Sequence, residues 1–204
     1  MLGKLAAEAL GLSDIGKIID PVDYDKVESD DYVFHEENEK IFFLIRSKTD
    51  EYCFTNRALI HIDGTSAVSK RKTLRRYEYY LHPIRNVLLE TAGTVDLDVE
   101  IKFAMGEVQF SIDVNKKQVE KLKDLYKALF KMSIIMHENK IGLDYANEGL
   151  KMAVSTVGGL RMDSQDVVQN FKDITNYSNE WLVSNRKKYV VEDFSDVFLK
   201  YINN

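Results

Sequence analysis

Three groups of side chains carry most of the chemical potential of this chain. The first is a basic run, Lys70, Arg71, Lys72, Arg75 and Arg76, inside the strand-like stretch KRKTLRRYEYY. Cations packed this densely would bind lipid headgroups, phosphates or an acidic protein surface. The same charges on an edge strand would simply discourage pairing with other chains. The second group is acidic: residues 23–40 hold eight carboxylates against two lysines, a net charge of −6. That stretch reads as a solvated loop, or as a patch docking on the basic strand of a neighbouring copy. The third is aromatic. Phe171, Tyr177, Trp181, Phe194 and Phe198 recur at helical spacing towards the C-terminus. Such a face is core or subunit interface, and these five are the residues expected to carry self-association.

Other constellations point away from catalysis. His35, His61, His82 and His137 are scattered, with neither HxH nor HxxxH spacing, so no metal site is expected. Asp96, Asp98 and Glu100 alternate along one strand and fit its wet face. No GxSxG, P-loop or GxGxxG occurs, and Gly158-Gly159 has no lysine after it. Cys53, the one cysteine, sits in an apolar run and is expected as a small buried hydrophobe in a reducing compartment. A net charge of −5 disfavours nucleic acid as a partner. No apolar run reaches membrane-spanning length, and the N-terminal MLGKLAAEALGL reads as a short helix rather than a signal peptide. The expectation is a cytoplasmic protein that is not an enzyme and uses no cofactor.

The elements that must position these groups begin with residues 95–114, VDLDVEIKFAMGEVQFSIDV. Apolar residues alternate with polar ones up to Phe103, then resume with flipped parity at Val108, Phe110, Ile112 and Val114. A two-residue turn around Gly106 predicts that flip, leaving the register open between Met105-Gly106 and Gly106-Glu107. Five more strands are expected before it, at residues 41–46, 51–55, 59–63, 70–80 and 84–91. Seven strands with hairpin-length links argue for an antiparallel barrel or sandwich. Asn115, with Gln118 three residues on, signals a capping box and a helix over about 115–136. The polar residues 137–140 mark the expected domain boundary. Beyond them lie helical stretches at 141–157, from Ser164 to Leu182, and from Asp193 on. Their apolar stripes are more than a small helical hairpin hides alone.

The order of these pieces resembles the bacterial pleckstrin-homology-like family, in the branch carrying a YvbH-like helical extension. The residues bearing the resemblance are Phe54-Thr55-Asn56-Arg57-Ala58-Leu59-Ile60, Tyr79-Tyr80-Leu81-His82-Pro83-Ile84, Glu90-Thr91-Ala92-Gly93-Thr94 and, in the tail, Asn176-Tyr177-Ser178-Asn179-Glu180-Trp181-Leu182. The chain departs from the family at residues 65–69 and in the order Leu81-His82-Pro83. The resemblance implies an α+β fold: a pleckstrin-homology-like seven-stranded antiparallel barrel or sandwich capped by a helix, then a small all-α helical-hairpin domain. It also implies self-association, and its members are not known as enzymes. The expected division is a helical lead-in at 1–34, the β-domain at 35–137 and an oligomerisation extension at 138–204. The expected function is a non-catalytic binding or assembly module. The alternative is a peripheral membrane-surface or acidic-ligand binder using the basic strand. Eukaryotic relatives bind phosphoinositides with basic residues near the first hairpin. Here Asp50 and Glu51 follow Arg46 and Lys48, which undercuts such a site.

Overall fold

The structure is a computed structural model and describes residues 14–64, 72–91, 98–158 and 167–202. Alternating apolar and polar side chains, punctuated by turn residues, fold the described residues into two antiparallel sheets. One holds β1 (Lys17–Ile18), β2 (Ile41–Arg46), β3 (Asp50–Thr55), β4 (Ala58–Gly64) and β5 (Lys72–Glu78) in that order; the other holds β6 (Ile84–Glu90), β7 (Asp98–Met105) and β8 (Val108–Asn115). The seven expected strands are β2 to β8, and β1 is an addition. The β7–β8 register pairs Met105 with Val108, so the turn is Gly106-Glu107, with Gly106 at φ +59°. That left-handed conformation favours glycine. The segment before β1 ties the two sheets together. Gly16 donates its N–H to the Asp113 carbonyl at 2.8 Å and accepts from Asn115 N–H at 3.0 Å, while β1 pairs with β2. Asn115 does cap the following turn, accepting from Lys117 N–H at 3.0 Å. Gln118 closes no capping box. Its side-chain amide bonds both the N–H and the C=O of Ile18, at 2.8 and 2.9 Å.

The middle of the first sheet, β2 to β4, is covered on both faces. Phe43, Phe54, Leu59 and Tyr77 stand opposite one another across β2 to β5, facing Phe103 and Phe110 of the second sheet. On the other face, Leu44, Cys53 and Ile60 line up across β2, β3 and β4 and are covered by Val27 and Val33. Double coverage explains why residues 58–62 of β4 are buried without alternation. The covering strap is three 3-10 segments, Pro21–Lys26, Glu28–Tyr32 and His35–Glu37. The described part of the lead-in expected at 1–34 contributes a strand and a core layer. The expected helix at residues 2–12 lies outside the described residues.

Helix α1 (Val119–Gly158) runs 40 residues without a break. Leu122, Leu125, Leu129 and Met132 form its buried stripe. The stop expected at 137–140 does not occur, because polar residues without glycine or proline solvate a helix rather than end it. Helices α2 (Val167–Tyr189) and α3 (Ser195–Tyr201) follow. The chain divides into two compact units: the described residues up to Ile134 together with those from Glu192 onward, and Ile135–Val191. The structure thus divides the chain differently from the expected boundary at 137/138. The segment after Glu192 returns to the β-unit because Phe194, Phe198 and Ile202 complete its core.

Candidate assembly surface

The basic strand is neutralised by its own chain. Lys72 pairs with Glu28 of the strap, Arg75 lies 3.6 Å from Asp63, and Arg76 bonds Glu39 at 2.9 Å and Glu78 at 2.6 Å. The Arg76 guanidinium also stacks 4.4 Å from the centre of the Phe34 ring. Glu39 is buried and fully used: it accepts from Phe34 N–H at 2.8 Å and from the Thr55 hydroxyl as well as from Arg76. Burial of Arg76 opposes its charge, but the bonds to Glu39 and Glu78 outweigh it and raise its pKa. Glu28 and Glu39 of the acidic stretch therefore pair with the basic strand in cis, while Asp25, Asp31, Glu36 and Glu37 are exposed. Lys70 and Arg71 lie outside the described residues.

The five aromatic residues do not form one surface. Phe198 is fully buried and stacks on Phe42 at 5.2 Å, and Phe194 meets the buried Tyr79 edge-on at 5.8 Å. Phe194 N–H donates to the Asn56 carbonyl at 2.8 Å, and the Asn56 amide donates to Asp193 at 2.6 Å. These two residues, expected at an oligomer interface, are core of the β-unit and unavailable to a partner. Asn56 also bonds Lys40 N–H, so the β3–β4 turn gathers both the N-terminal strap and the C-terminal segment.

The other three stand on the helical unit. Trp181 is half-buried and donates its indole N–H to the Ala146 carbonyl at 3.0 Å. Gly142 lies against the Tyr189 ring, where a Cβ would come within 2.3 Å of a ring carbon. Lower-numbered residues of α1 thus meet higher-numbered residues of α2, which makes the pair an antiparallel hairpin. Phe171 and Tyr177 are open to solvent, at 70% and 62% exposure. Val167, Val168, Leu182 and Tyr145 are exposed too. Among the described residues α2 has no buried side chain. Exposed Met152, Tyr145 and Val183 were not among the expected interface residues; the signal was an apolar pattern wider than one partner helix covers.

The other candidates stay local. Glu100 accepts from the Ser111 hydroxyl and pairs with Lys102 at 3.0 Å, and these bonds lower its pKa. Burial pushes the Cys53 thiol up to about 12, so it carries almost no thiolate. Among the described residues no group of three or more His, Cys, Asp or Glu is gathered to hold a metal ion, and no helix is long and apolar enough to cross a membrane.

Comparison with known proteins finds two regions in this chain. The family model described as "Bacterial PH domain" matches residues 9–133, and the one described as "YvbH-like oligomerisation region" matches residues 144–204. A relative from Bacillus subtilis (strain 168), named "Uncharacterized protein YvbH", is 55% identical over 204 residues, all of both chains. The crystal structure of a PH-domain-containing bacterial protein from Exiguobacterium sibiricum 255-15 is 52% identical and superposes with a TM-score of 0.86, covering 93% of this chain and 100% of that one. The chain belongs to the bacterial pleckstrin-homology family, in the branch that joins this domain to a YvbH-like oligomerisation region.

Proposed function

We propose that the protein is a non-catalytic assembly module, in which the helical unit joins copies of the chain and the β-unit is the cargo displayed. The observation that supports this is solvent exposure: Tyr145 is 75%, Met152 70%, Phe171 70% and Tyr177 62% exposed on one small unit. Large apolar patches on soluble chains mark interaction sites. The name of the region matched at residues 144–204 favours a second copy as the partner. Phe171 lies at the contact, and Trp181 holds the hairpin that presents it. The basic strand as a membrane or anion surface is the weaker reading, because Lys72, Arg75 and Arg76 already have intrachain carboxylates. Light scattering on the wild-type chain and on the Phe171→Ser variant tests the proposal. The wild type is expected as an oligomer, and the variant at lower mass with unchanged circular dichroism. A monomeric wild type overturns the proposal.

A further inference from the structure

The exposed faces of α1 and α2 differ in charge, and that difference specifies how copies meet. Along α1, Glu138, Ile141, Tyr145, Glu148 and Met152 recur at three- and four-residue steps and form one stripe. Along α2, Val168, Lys172, Thr175, Asn179, Leu182 and Arg186 do the same. Tyr145, Met152, Val168 and Leu182 are exposed, as are all four charged residues. Neither stripe belongs to the seam inside the hairpin, which uses Gly142, Ala146 and Leu150 on α1 and Ile174, Trp181 and Tyr189 on α2. At about 100° per residue the stripes sit about 100–120° round their helices from that seam. Residues of opposite sign, Lys140 and Lys151 on α1 and Asp173 and Glu180 on α2, lie about 100° or more from the stripe of their own helix. Glu148 is held only by an exposed in-helix pair with Lys151, which leaves it open to a stronger partner.

We infer that the acidic-apolar stripe of α1 in one copy docks on the basic-apolar stripe of α2 in the next. This rests on the assembly reading above and gives it an orientation. Pairing α1 with α1 would set Glu138 and Glu148 against the same carboxylates. Pairing α2 with α2 would set Lys172 and Arg186 against like charge. Only the cross pairing is complementary, and juxtaposed like charge is strongly selected against at interfaces. Each copy carries both halves, so the contact repeats without a second kind of subunit.

Charge reversal tests this in full-length chains by light scattering at low ionic strength, where such charges are least screened. Glu138→Lys with Glu148→Lys, and separately Lys172→Glu with Arg186→Glu, are each expected to fall to the monomer mass. A one-to-one mixture of the two double variants, and the single chain carrying all four changes, are expected to regain the wild-type mass. The residues are exposed, so circular dichroism should not change. Wild-type assembly that ignores both double reversals, or a fourfold variant that stays monomeric, overturns the cross pairing alone. A monomeric wild type overturns the assembly reading with it.

Discussion

Phe198 is fully buried and Phe171 is 70% exposed, although both stand on amphipathic helices near the C-terminus. The difference lies in what each helix finds to pack on. The seven residues of α3 return to a sheet that offers Phe42 and the buried Tyr79. The α2 helix packs on the second half of α1, where Gly142 and Ala146 leave little side chain to bury against. At these two positions the β-unit hides its aromatic ring and the helical unit does not. Phe198→Ala should therefore cost about 3–5 kcal/mol of β-unit stability, as for other buried phenylalanines truncated in cores. Phe171→Ala should leave stability within about 0.5 kcal/mol, as surface changes do, while lowering the assembly mass. Thermal unfolding beside light scattering separates the two effects. Equal loss of stability in both variants would erase the contrast between the units.

Charge separates the units as well. In the β-unit, opposite charges meet within the chain, and the Arg76–Glu39 pair is largely shielded from water. In the helical unit Glu138 and Glu148 of α1 and Lys172 and Arg186 of α2 are exposed. Arg76→Ala leaves the Glu39 carboxylate buried with only Thr55 and Phe34 N–H as donors. It should cost about 3 kcal/mol, the low end for breaking a buried pair. Arg186→Ala, on an exposed helical face, should cost less than about 0.5 kcal/mol. Urea denaturation read by far-ultraviolet dichroism measures both. If the Arg76 variant is as stable as the Arg186 variant, the strap is not held by its ion pairs.

Period-two alternation was enough to find β7 and β8, because their outer faces are wet and the pattern is clean. The register needed one further fact, the left-handed Gly106. The strap was harder to see. Its 3-10 segments have no strong periodicity, and its acids suggested solvent. Its signature was indirect: Leu44, Cys53 and Ile60 are apolar on a face that a one-sided sheet would leave polar. The polar residues 137–140 read as a boundary, yet they hold no glycine or proline and α1 runs through them. The interface residues divided by tertiary context. Phe194 and Phe198 have the same four-residue spacing as Tyr177 and Trp181, and no local pattern says which stripe the β-unit claims. A chain cut after His137 would lose Phe194, Phe198 and Ile202 from its own core, so it could not report on the β-unit as an intact body.

The smallest expected effect concerns the clasp that brings the C-terminal segment back to the sheet. Burial of Asp193 opposes its charge, but hydrogen bonds from Ser195 and Asn56, with the positive charge of Arg57 nearby, outweigh it and lower the pKa. A carboxyl with a lower pKa folded than unfolded adds stability above its unfolded pKa, about 3.9 for aspartate. That contribution is lost as pH falls through the folded value. The clasp should therefore hold at neutral pH and loosen in acid before the sheets do. Hydrogen exchange at the Phe194 amide, bonded to the Asn56 carbonyl, reports it directly. Its protection factor should drop in acid while that of the Ile101 amide in β7 does not. Asp193→Asn should remove that pH dependence at a cost of about 1 kcal/mol, the usual net worth of a hydrogen bond. A Phe194 amide whose protection follows pH identically in the wild type and Asp193→Asn would place the latch in the buried aromatic rings alone, with the carboxylate idle.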